Sequence, residues 1–348
     1  MTHLSARAAR PAALLAVVTT LAGSAHALTI KTTFDSSITG NRNASAIESA
    51  FDAVAAEYDS VLTSPLTVNV DVSWGKVDGV AVASNALGES VDELYGYYSY
   101  GTLKSVLSSH ASANPTDKAL ASAVAHLPAS TPSGVSSYVV PSSEAKALGL
   151  ISTTQSSYDG YIGFGSAVAY DFNPSNGITA GTYDFEAVAA HEVDEVLGRI
   201  SGLANASPSY RTVFDLYRYS SPGVISFAYN TPAYFSVNGG TTKLGEFNIS
   251  ASGGDRGDWA NSGATVTDIQ DAFLTAGRAS NLTAADLTAL DALGFAGSNI
   301  GNIDLTAPTT IAHAFQTAVP EPGVWAMMLL GLGGVGAALR RRPAVARA

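Results

Sequence analysis

Two short apolar segments, each next to arginines, bracket the chain and limit which residues can fold as a globular domain. The first covers 12–22, follows Arg7 and Arg10, and leads into Ala25-His26-Ala27. A basic start, a short apolar run and a small-x-small ending predict a signal peptide that signal peptidase cleaves after Ala27. A first transmembrane helix, the alternative, would need a longer apolar run.

The second apolar segment lies at the C-terminus and has three parts. It begins with Pro320, Glu321 and Pro322, continues through the uncharged residues 323–339, and ends in the arginines of 340–342. This order resembles the PEP-CTERM sorting signal of Gram-negative bacteria that make exopolysaccharide. The resemblance implies recognition by an exosortase, transient inner-membrane contact through 323–339, removal of 320–348, and a final place at the cell surface or in the biofilm matrix. A plain C-terminal anchor is the alternative.

Without both ends, 28–319 remains, and we expect a domain at 28–300 followed by a linker at 301–319. Residues 28–319 contain 12 basic and 28 acidic residues, a net charge of −16. Such a charge disfavours nucleic acid and anionic lipid surfaces as partners. The chain has no cysteine, which excludes disulfides, thiolate metal sites and a cysteine nucleophile.

Helical and strand patterns alternate within 28–300 and predict one α+β domain. Apolar residues at three- and four-residue steps predict a helix over 43–62, and alternating apolar residues predict a strand over 66–75. The remaining predicted helices are at 92–111, which begins with a turn, and at 142–150, 184–198 and 281–295. Strands are predicted at 159–166, 224–229 and 233–247, the last interrupted by a Gly-Gly turn, and a surface loop at 114–137.

The segment "HEVDEVLG" at 191–198 carries the main chemical signal. Residues four apart project from the same face of a helix, so His191 and Glu195 can hold one metal ion. Glu192 can then hydrogen-bond a water molecule at that ion. An acidic helix can contain this short motif by chance. The apolar residues before His191, the turn at Gly198 and a Gly-rich strand at 159–166, able to act as a substrate-binding edge, favour the metal site.

The same features carry a family resemblance. A helix, "TVNVDVSWG", "DGYIGFGS" and "YDFEAVAAHEVDEVLG", in this order, resemble the zincin superfamily, nearest the matrixin-like metzincins and secreted PEP-CTERM proteins with a His-Glu-x-x-Glu motif. His191, Glu192 and Gly198 match the metzincin motif, whereas Glu195 replaces its second histidine and Ser201 its third. The resemblance implies a zincin-like metalloprotease domain with a mixed sheet and an active-site helix.

The third metal ligand is the least determined part of this site. Asp215 is our choice, because it lies in an apolar and aromatic segment where an unpaired carboxylate would be costly. The alternative is that Asp215 pairs with Arg199, Arg211 or Arg218. Asp194, three residues after His191, is a weaker candidate for the same ion.

These observations predict a secreted Zn²⁺-dependent endopeptidase that cleaves protein or peptide substrates with Glu192 as general base. Two anionic ligands would acidify the bound water less than neutral ligands do, so we expect slow turnover or an alkaline optimum. Help for the oxyanion could come from Tyr210, Tyr217 or Arg199. The competing function is a non-catalytic matrix protein that keeps a degenerate zincin fold.

The loop "GGDRGDW" contains one further candidate metal site. Its Asp255 and Asp258 could hold Ca²⁺. The loop lacks a full ladder of spaced carboxylates, so an ordinary Asp-Gly turn is the favoured reading.

Overall fold

A computed structural model of the protein describes residues 28–203, 210–260 and 267–297. The predicted signal peptide at 1–27, the linker at 301–319 and the sorting signal at 320–348 lie outside the described residues. Within the described ranges, no helix is both long enough and apolar enough to cross a bilayer.

The described residues form a mixed α+β structure. The strands are β1 (Thr29–Phe34), β2 (Thr67–Trp74), β3 (Lys76–Val77), β4 (Val80–Ala81), β5 (Gly88–Asp92), β6 (Leu94–Tyr98), β7 (Ser137–Pro141), β8 (Gly160–Phe164), β9 (Tyr170–Asp171), β10 (Tyr183–Asp184), β11 (Tyr210–Thr212), β12 (Arg218–Ser221), β13 (Val224–Ile225), β14 (Tyr234–Phe235), β15 (Gly245–Glu246), β16 (Thr267–Asp268) and β17 (Ser280–Asn281). The helices are α1 (Ser36–Thr39), α2 (Ala44–Val61), α3 (Tyr100–Ala113), α4 (Lys118–Ala125), α5 (Ser142–Ala147), α6 (Phe185–Val196) and α7 (Ala284–Ala292), with 3₁₀ turns at Pro174–Asn176 and Phe214–Tyr217.

The largest parallel arrangement is a sheet with the strand order β1-β2-β8-β5. β1, β2 and β8 run parallel to one another, and β5 pairs antiparallel with β8. The Gly-rich strand β8 is therefore an interior strand, and the expectation that it forms a substrate-binding edge is wrong. Its glycines serve packing instead, since a Cβ at Gly160 would lie 2.7 Å from Val196 of α6. The edge strand of this sheet that contacts α6 is β5.

Helices α2 and α6 pack against each other and against this sheet, where α2 contacts β1 and α6 contacts β5 and β8. Phe185, at the start of α6, lies in an aromatic cluster, with its ring centroid 4.4 Å from that of Phe164 and 5.0 Å from that of Phe172. Burial of these rings fixes the start of α6 on the sheet.

Further small sheets surround this core. β6 and β11 flank β7, and β12, β13, β14 and β15 form a four-stranded antiparallel sheet. Trp259, in the loop after β15, has its ring centroid 5.2 Å from that of Phe247 and donates from Nε1 to Asp286 Oδ1 at 2.8 Å. These contacts tie the loop to α7.

Several predicted elements are confirmed, among them the helix at 43–62, the strand at 66–75 and the final helix with its capping box of Thr283 and Asp286. Other predictions are wrong in part or in full. The supposed turn at the start of 92–111 is strand β6, and the supposed loop at 114–137 contains α4. The strands predicted at 224–229 and 233–247 are reduced to the two-residue strands β13, β14 and β15. Asp117 caps α4 by accepting from the amide of Leu120, and a short alanine-rich helix of this kind lacks the long apolar periodicity that marks α2.

Candidate metal centre

Helix α6 positions the residues of the motif. Asp184 caps its first turn by accepting from the amide of Ala187 at 3.2 Å. Behind the helix, Tyr58 donates to the carbonyl of Ala190 and to Asp194 Oδ1 at 2.6 Å. At the end of the helix, Gly198 has a φ of 105°, in the left-handed region that favours glycine. The predicted helix and the predicted turn are both confirmed, and the helix is held at both ends and along its buried side.

His191 is oriented by a backbone carbonyl. Its Nδ1 lies 2.8 Å from the carbonyl oxygen of Ile269. Because a carbonyl only accepts hydrogen bonds, Nδ1 carries the proton, and a neutral ring then has its lone pair on Nε2. That Nε2 faces Glu195 Oε1 at 3.8 Å and Asp258 Oδ1 at 3.7 Å.

Glu195 and Asp258 present carboxylate oxygens to the same point. Glu195 Oε2 accepts from Ser90 Oγ at 2.7 Å, and Asp258 Oδ2 accepts from the amide of Asp255 at 3.1 Å. One ligand atom each from His191, Glu195 and Asp258 lies within 4.8 Å of the other two. A nitrogen and two carboxylate oxygens form a donor set that suits Zn²⁺. The residues present fit a divalent metal ion.

The loop that carries Asp258 is itself tightly held. The carboxamide of Asn248 donates to the carbonyls of Gly253 and Asp255 at 3.0 and 3.1 Å. The guanidinium of Arg256 stacks on Tyr229, 4.0 Å from the ring centroid. Asp258 is thus fixed in place by its neighbours, and the loop is more than the Asp-Gly turn favoured from the sequence.

Glu192 lies beside the metal-ligand group and is 4% exposed. Its Oε2 has no hydrogen-bond partner among the described residues, and the same holds for Asp258 Oδ1. The carboxylate is packed against Gly88 of β5, where a Cβ would lie 2.3 Å from Glu192 Oε1. A glycine at this position of the edge strand is therefore required for the observed position of Glu192.

Burial raises the pKa of Glu192 well above its ordinary value, and the carboxylate of Glu195 raises it further. The pKa of Glu195 is raised in the same direction, first by burial and then by Asp255 and Asp258. Among the described residues, no lysine or arginine forms an ion pair with this group. Buried carboxylates of this kind either retain protons or are neutralised by a bound cation.

A cleft of about 600 Å³ opens over these residues. Its lining includes Ala83 and 85–90, with the first half of β5. The lining also includes 252–255, Asp258 and 271–274, together with His191, Glu192 and Glu195 of α6. The cleft is large enough for several residues of an extended peptide chain.

The structure corrects the expected third ligand. Asp215 accepts hydrogen bonds from Ser201 Oγ at 2.6 Å, Gly202 N at 2.9 Å and Thr212 N at 3.0 Å, so its carboxylate organises a local turn. It does not belong to the group around His191, where Asp258 stands instead.

Asp194 is likewise directed away from the centre, since its carboxylate accepts from Tyr58 and from Gln270 Nε2. The three suggested oxyanion donors are absent from the described lining of the cleft. Tyr217 donates to the carbonyl of Ala292, and the guanidinium of Arg199 lies 4.2 Å from the Trp259 ring centroid. Among the described residues of the lining, the tyrosine is Tyr183.

Comparison with known proteins identifies one segment of the chain. Residues 318–342 match the PEP-CTERM protein-sorting motif. The motif indicates a protein that an exosortase recognises during export to the surface or exterior of a Gram-negative bacterium. It includes Pro320, Glu321 and Pro322 and confirms the predicted sorting signal. No curated protein and no solved structure matches the chain.

Proposed function

We propose that this exported protein is a zinc-dependent endopeptidase with a zincin-like domain. The observation that carries the proposal is the convergence of His191 Nε2, Glu195 Oε1 and Asp258 Oδ1 beside the buried carboxylate of Glu192. Asp258 takes the place that we expected for Asp215. In this proposal His191 and Glu195 remain metal ligands and Glu192 remains the general base, as expected from the sequence.

The arrangement of the sheet supports the same function. Strand β5 lies at the edge of the sheet, antiparallel to β8, and Gly88, Glu89 and Ser90 line the cleft. An extended peptide can add to such an edge through backbone hydrogen bonds. A substrate bound in this way would lie alongside the motif of α6.

Each residue has a defined task in this proposal. His191, Glu195 and Asp258 would hold the ion, and the ion, when bound, supplies a Lewis acid that polarises a carbonyl and acidifies water. Glu192 accepts a proton from the attacking water at Oε2 and passes it to the nitrogen of the departing amine. Ser90 keeps Glu195 oriented through its hydrogen bond. The buried setting of Glu192 limits competing contact with bulk water.

Substitution of the general base tests the proposal. Glu192→Gln removes the proton acceptor while keeping the size of the side chain, so we expect casein or gelatin hydrolysis to fall by about 10²- to 10⁴-fold. The metal content, measured by elemental analysis, should stay at the wild-type value because Glu192 is not a ligand. Glu48→Gln, on α2, is the matched control. Equal hydrolysis by the Glu192→Gln protein and the wild type would contradict the proposed mechanism.

A non-catalytic matrix protein is the second candidate, favoured by the carboxylate of Glu195 at a ligand position where the metzincins have a neutral histidine. A metal site with two carboxylates and one imidazole can hold an ion without activating water strongly. Stoichiometric metal in wild-type protein that hydrolyses neither casein nor gelatin would support this candidate over the peptidase.

A further inference from the structure

The metal ligands belong to two segments that are far apart in the sequence. His191 and Glu195 lie on α6, whereas Asp258 lies in the loop after β15. The backbone of neither segment can set the distance between them by itself. The geometry of the centre therefore depends on contacts that hold the loop against the helix, and the segment 268–270 makes contacts with both.

Gln270 contacts helix α6 through its side chain. The residue is fully buried, with 0% of its surface exposed. Its Nε2 donates to the carbonyl of His191 and to Asp194 Oδ2, each at 3.2 Å. The preceding residue, Ile269, accepts from His191 Nδ1 through its carbonyl. Two consecutive residues therefore hold both the backbone and the imidazole of His191.

The main chain of Gln270 contacts the loop. Its carbonyl accepts from the amide of Trp259 at 2.8 Å. Its own amide donates to Asp268 Oδ1 at 2.7 Å, which holds 268–270 in a turn. Because the amide of Trp259 belongs to the peptide unit that starts at the carbonyl of Asp258, its hydrogen bond positions the backbone of the ligand. One residue thus joins the helix to the loop.

Arg199 fixes the orientation of the Gln270 side chain. Its Nη1 donates to Gln270 Oε1, and its guanidinium lies 4.2 Å from the centroid of the Trp259 ring. A guanidinium only donates hydrogen bonds, so the amide of Gln270 directs its oxygen at Arg199 and its nitrogen at α6. The same arginine therefore holds the amide in place and packs on the residue that follows Asp258.

We propose that Gln270 is a positioning residue of the metal centre and sets the spacing between His191 and Asp258. Giving it a part in catalysis rests on the proposed peptidase function, whereas its effect on metal binding does not. Partners that orient a metal ligand without contacting the ion contribute about 10- to 100-fold to metal affinity. Substitution of the side chain releases the contact with α6 and keeps the main-chain contact with Trp259.

Metal titration of a near-isosteric variant tests this role. Gln270→Glu keeps the size of the side chain and an oxygen for Arg199, but it loses the donor to His191 and Asp194. The affinity for Zn²⁺ is measured by competition with a chromophoric chelator, and the coordination geometry by the visible spectrum of Co²⁺-loaded protein. We expect about 10- to 100-fold weaker Zn²⁺ binding than in the wild type, with shifted Co²⁺ absorption bands.

A matched control separates positioning from general stability. Asn69 of β2 is also a buried amide, and its Nδ2 donates to the carbonyl of Gln155 at 2.8 Å. Asn69→Asp should lower the Tm while leaving the Zn²⁺ affinity and the Co²⁺ spectrum at their wild-type values. Gln270→Met, which adds no charge, is the second variant and should reproduce the effect of Gln270→Glu.

The outcomes distinguish this role from the peptidase function. Unchanged Zn²⁺ affinity in Gln270→Glu or Gln270→Met would overturn the positioning role. Weaker binding with an unchanged Co²⁺ spectrum, or equal changes in Asn69→Asp, would assign Gln270 to general stability and would overturn it too. The expected changes in a protein whose wild type hydrolyses no peptide would support the role while overturning the peptidase function. A wild type that binds neither ion would overturn both.

Discussion

At the candidate metal centre, each ligand side chain has one atom held by the protein and another directed at the shared point. His191 is held through Nδ1 by the carbonyl of Ile269, Glu195 through Oε2 by Ser90, and Asp258 through Oδ2 by the amide of Asp255. Such contacts set the orientation of a ligand before an ion arrives and reduce the entropy lost on binding. The position of Glu192 also depends on a neighbour, because its carboxylate packs against Gly88 of β5, which has no side chain.

Gly88→Ala tests that dependence. The added Cβ would lie 2.3 Å from Glu192 Oε1, so the carboxylate must shift. Because small displacements of a reacting group can cost about 10²-fold in rate, we expect a comparable loss of peptide hydrolysis with metal content retained. The control is Gly96→Ala on β6, where the added Cβ would lie 3.5 Å from its nearest neighbour, Tyr98. Undiminished hydrolysis by the Gly88→Ala protein would refute the packing argument.

The residues of the motif could be predicted because their spacing is a local property of one helix. His191, Glu192 and Glu195 follow from the four-residue step alone. Asp258 could not be selected in this way, because its approach to His191 depends on pairing of the Trp259 segment with 270–272 through backbone hydrogen bonds. The sequence holds a weak signal for it, since Asp258 lies in a Gly- and Asp-rich loop that could hold Ca²⁺.

Among the elements, α5 is anchored by a fully buried ion pair. Lys146 Nζ lies 2.5 Å from Asp159 Oδ2 and also donates to the carbonyl of Thr67 at 2.8 Å. Asp159 accepts from Ser142 Oγ at 2.6 Å and from the amide of Asn69 at 2.8 Å. The pair thus joins α5 to strand β2 and to the start of β8.

Lys146→Met leaves the buried carboxylate of Asp159 without its cation, so we expect the free energy of unfolding to fall by about 3–5 kcal/mol in urea denaturation. Lys146→Met/Asp159→Asn should lose less, because no buried charge is left unpaired. Lys243→Met, at an exposed pair with Glu246, should change the same quantity by about 1 kcal/mol or less. A similar small effect of Lys146→Met would contradict the anchoring role.

Elements with strong periodicity were predictable and those without it were not. Helix α2 presents a continuous apolar face, whereas β5 has the polar sequence "GESVD" because it lies at a sheet edge beside the cleft. Its strand conformation comes from pairing with β8, which is a long-range contact. Strand β5, which borders the site, therefore cannot be predicted from the pattern of apolar residues in the sequence.

Across the whole molecule, several acids are buried, and their titration links stability to pH. Burial and the neighbouring Asp117 raise the pKa of Asp291 on α7 to about 9. Between the ordinary carboxyl pKa near 4 and this raised value, the folded state binds more protons than the unfolded state. Stability from this group is present at low pH and is lost as the pH rises towards 9.

Asp291→Asn should remove this contribution to the pH dependence. We expect the variant to gain a few degrees in Tm at pH 8 and little at pH 5, so that its Tm falls less steeply with pH than that of the wild type. Asp52→Asn, at an exposed position on α2, should leave the slope unchanged. An unaltered slope in Asp291→Asn, measured by differential scanning calorimetry, would refute the assignment.

The most direct test of the central claim is the number of metal ions bound per chain, measured by elemental analysis of the purified protein after dialysis against zinc. The proposed centre predicts one zinc in the wild type, almost none in His191→Ala and Asp258→Asn, and one in Asp215→Asn, whose carboxylate is used elsewhere. A wild-type protein without zinc, or loss of zinc from Asp215→Asn with full retention in Asp258→Asn, would contradict it.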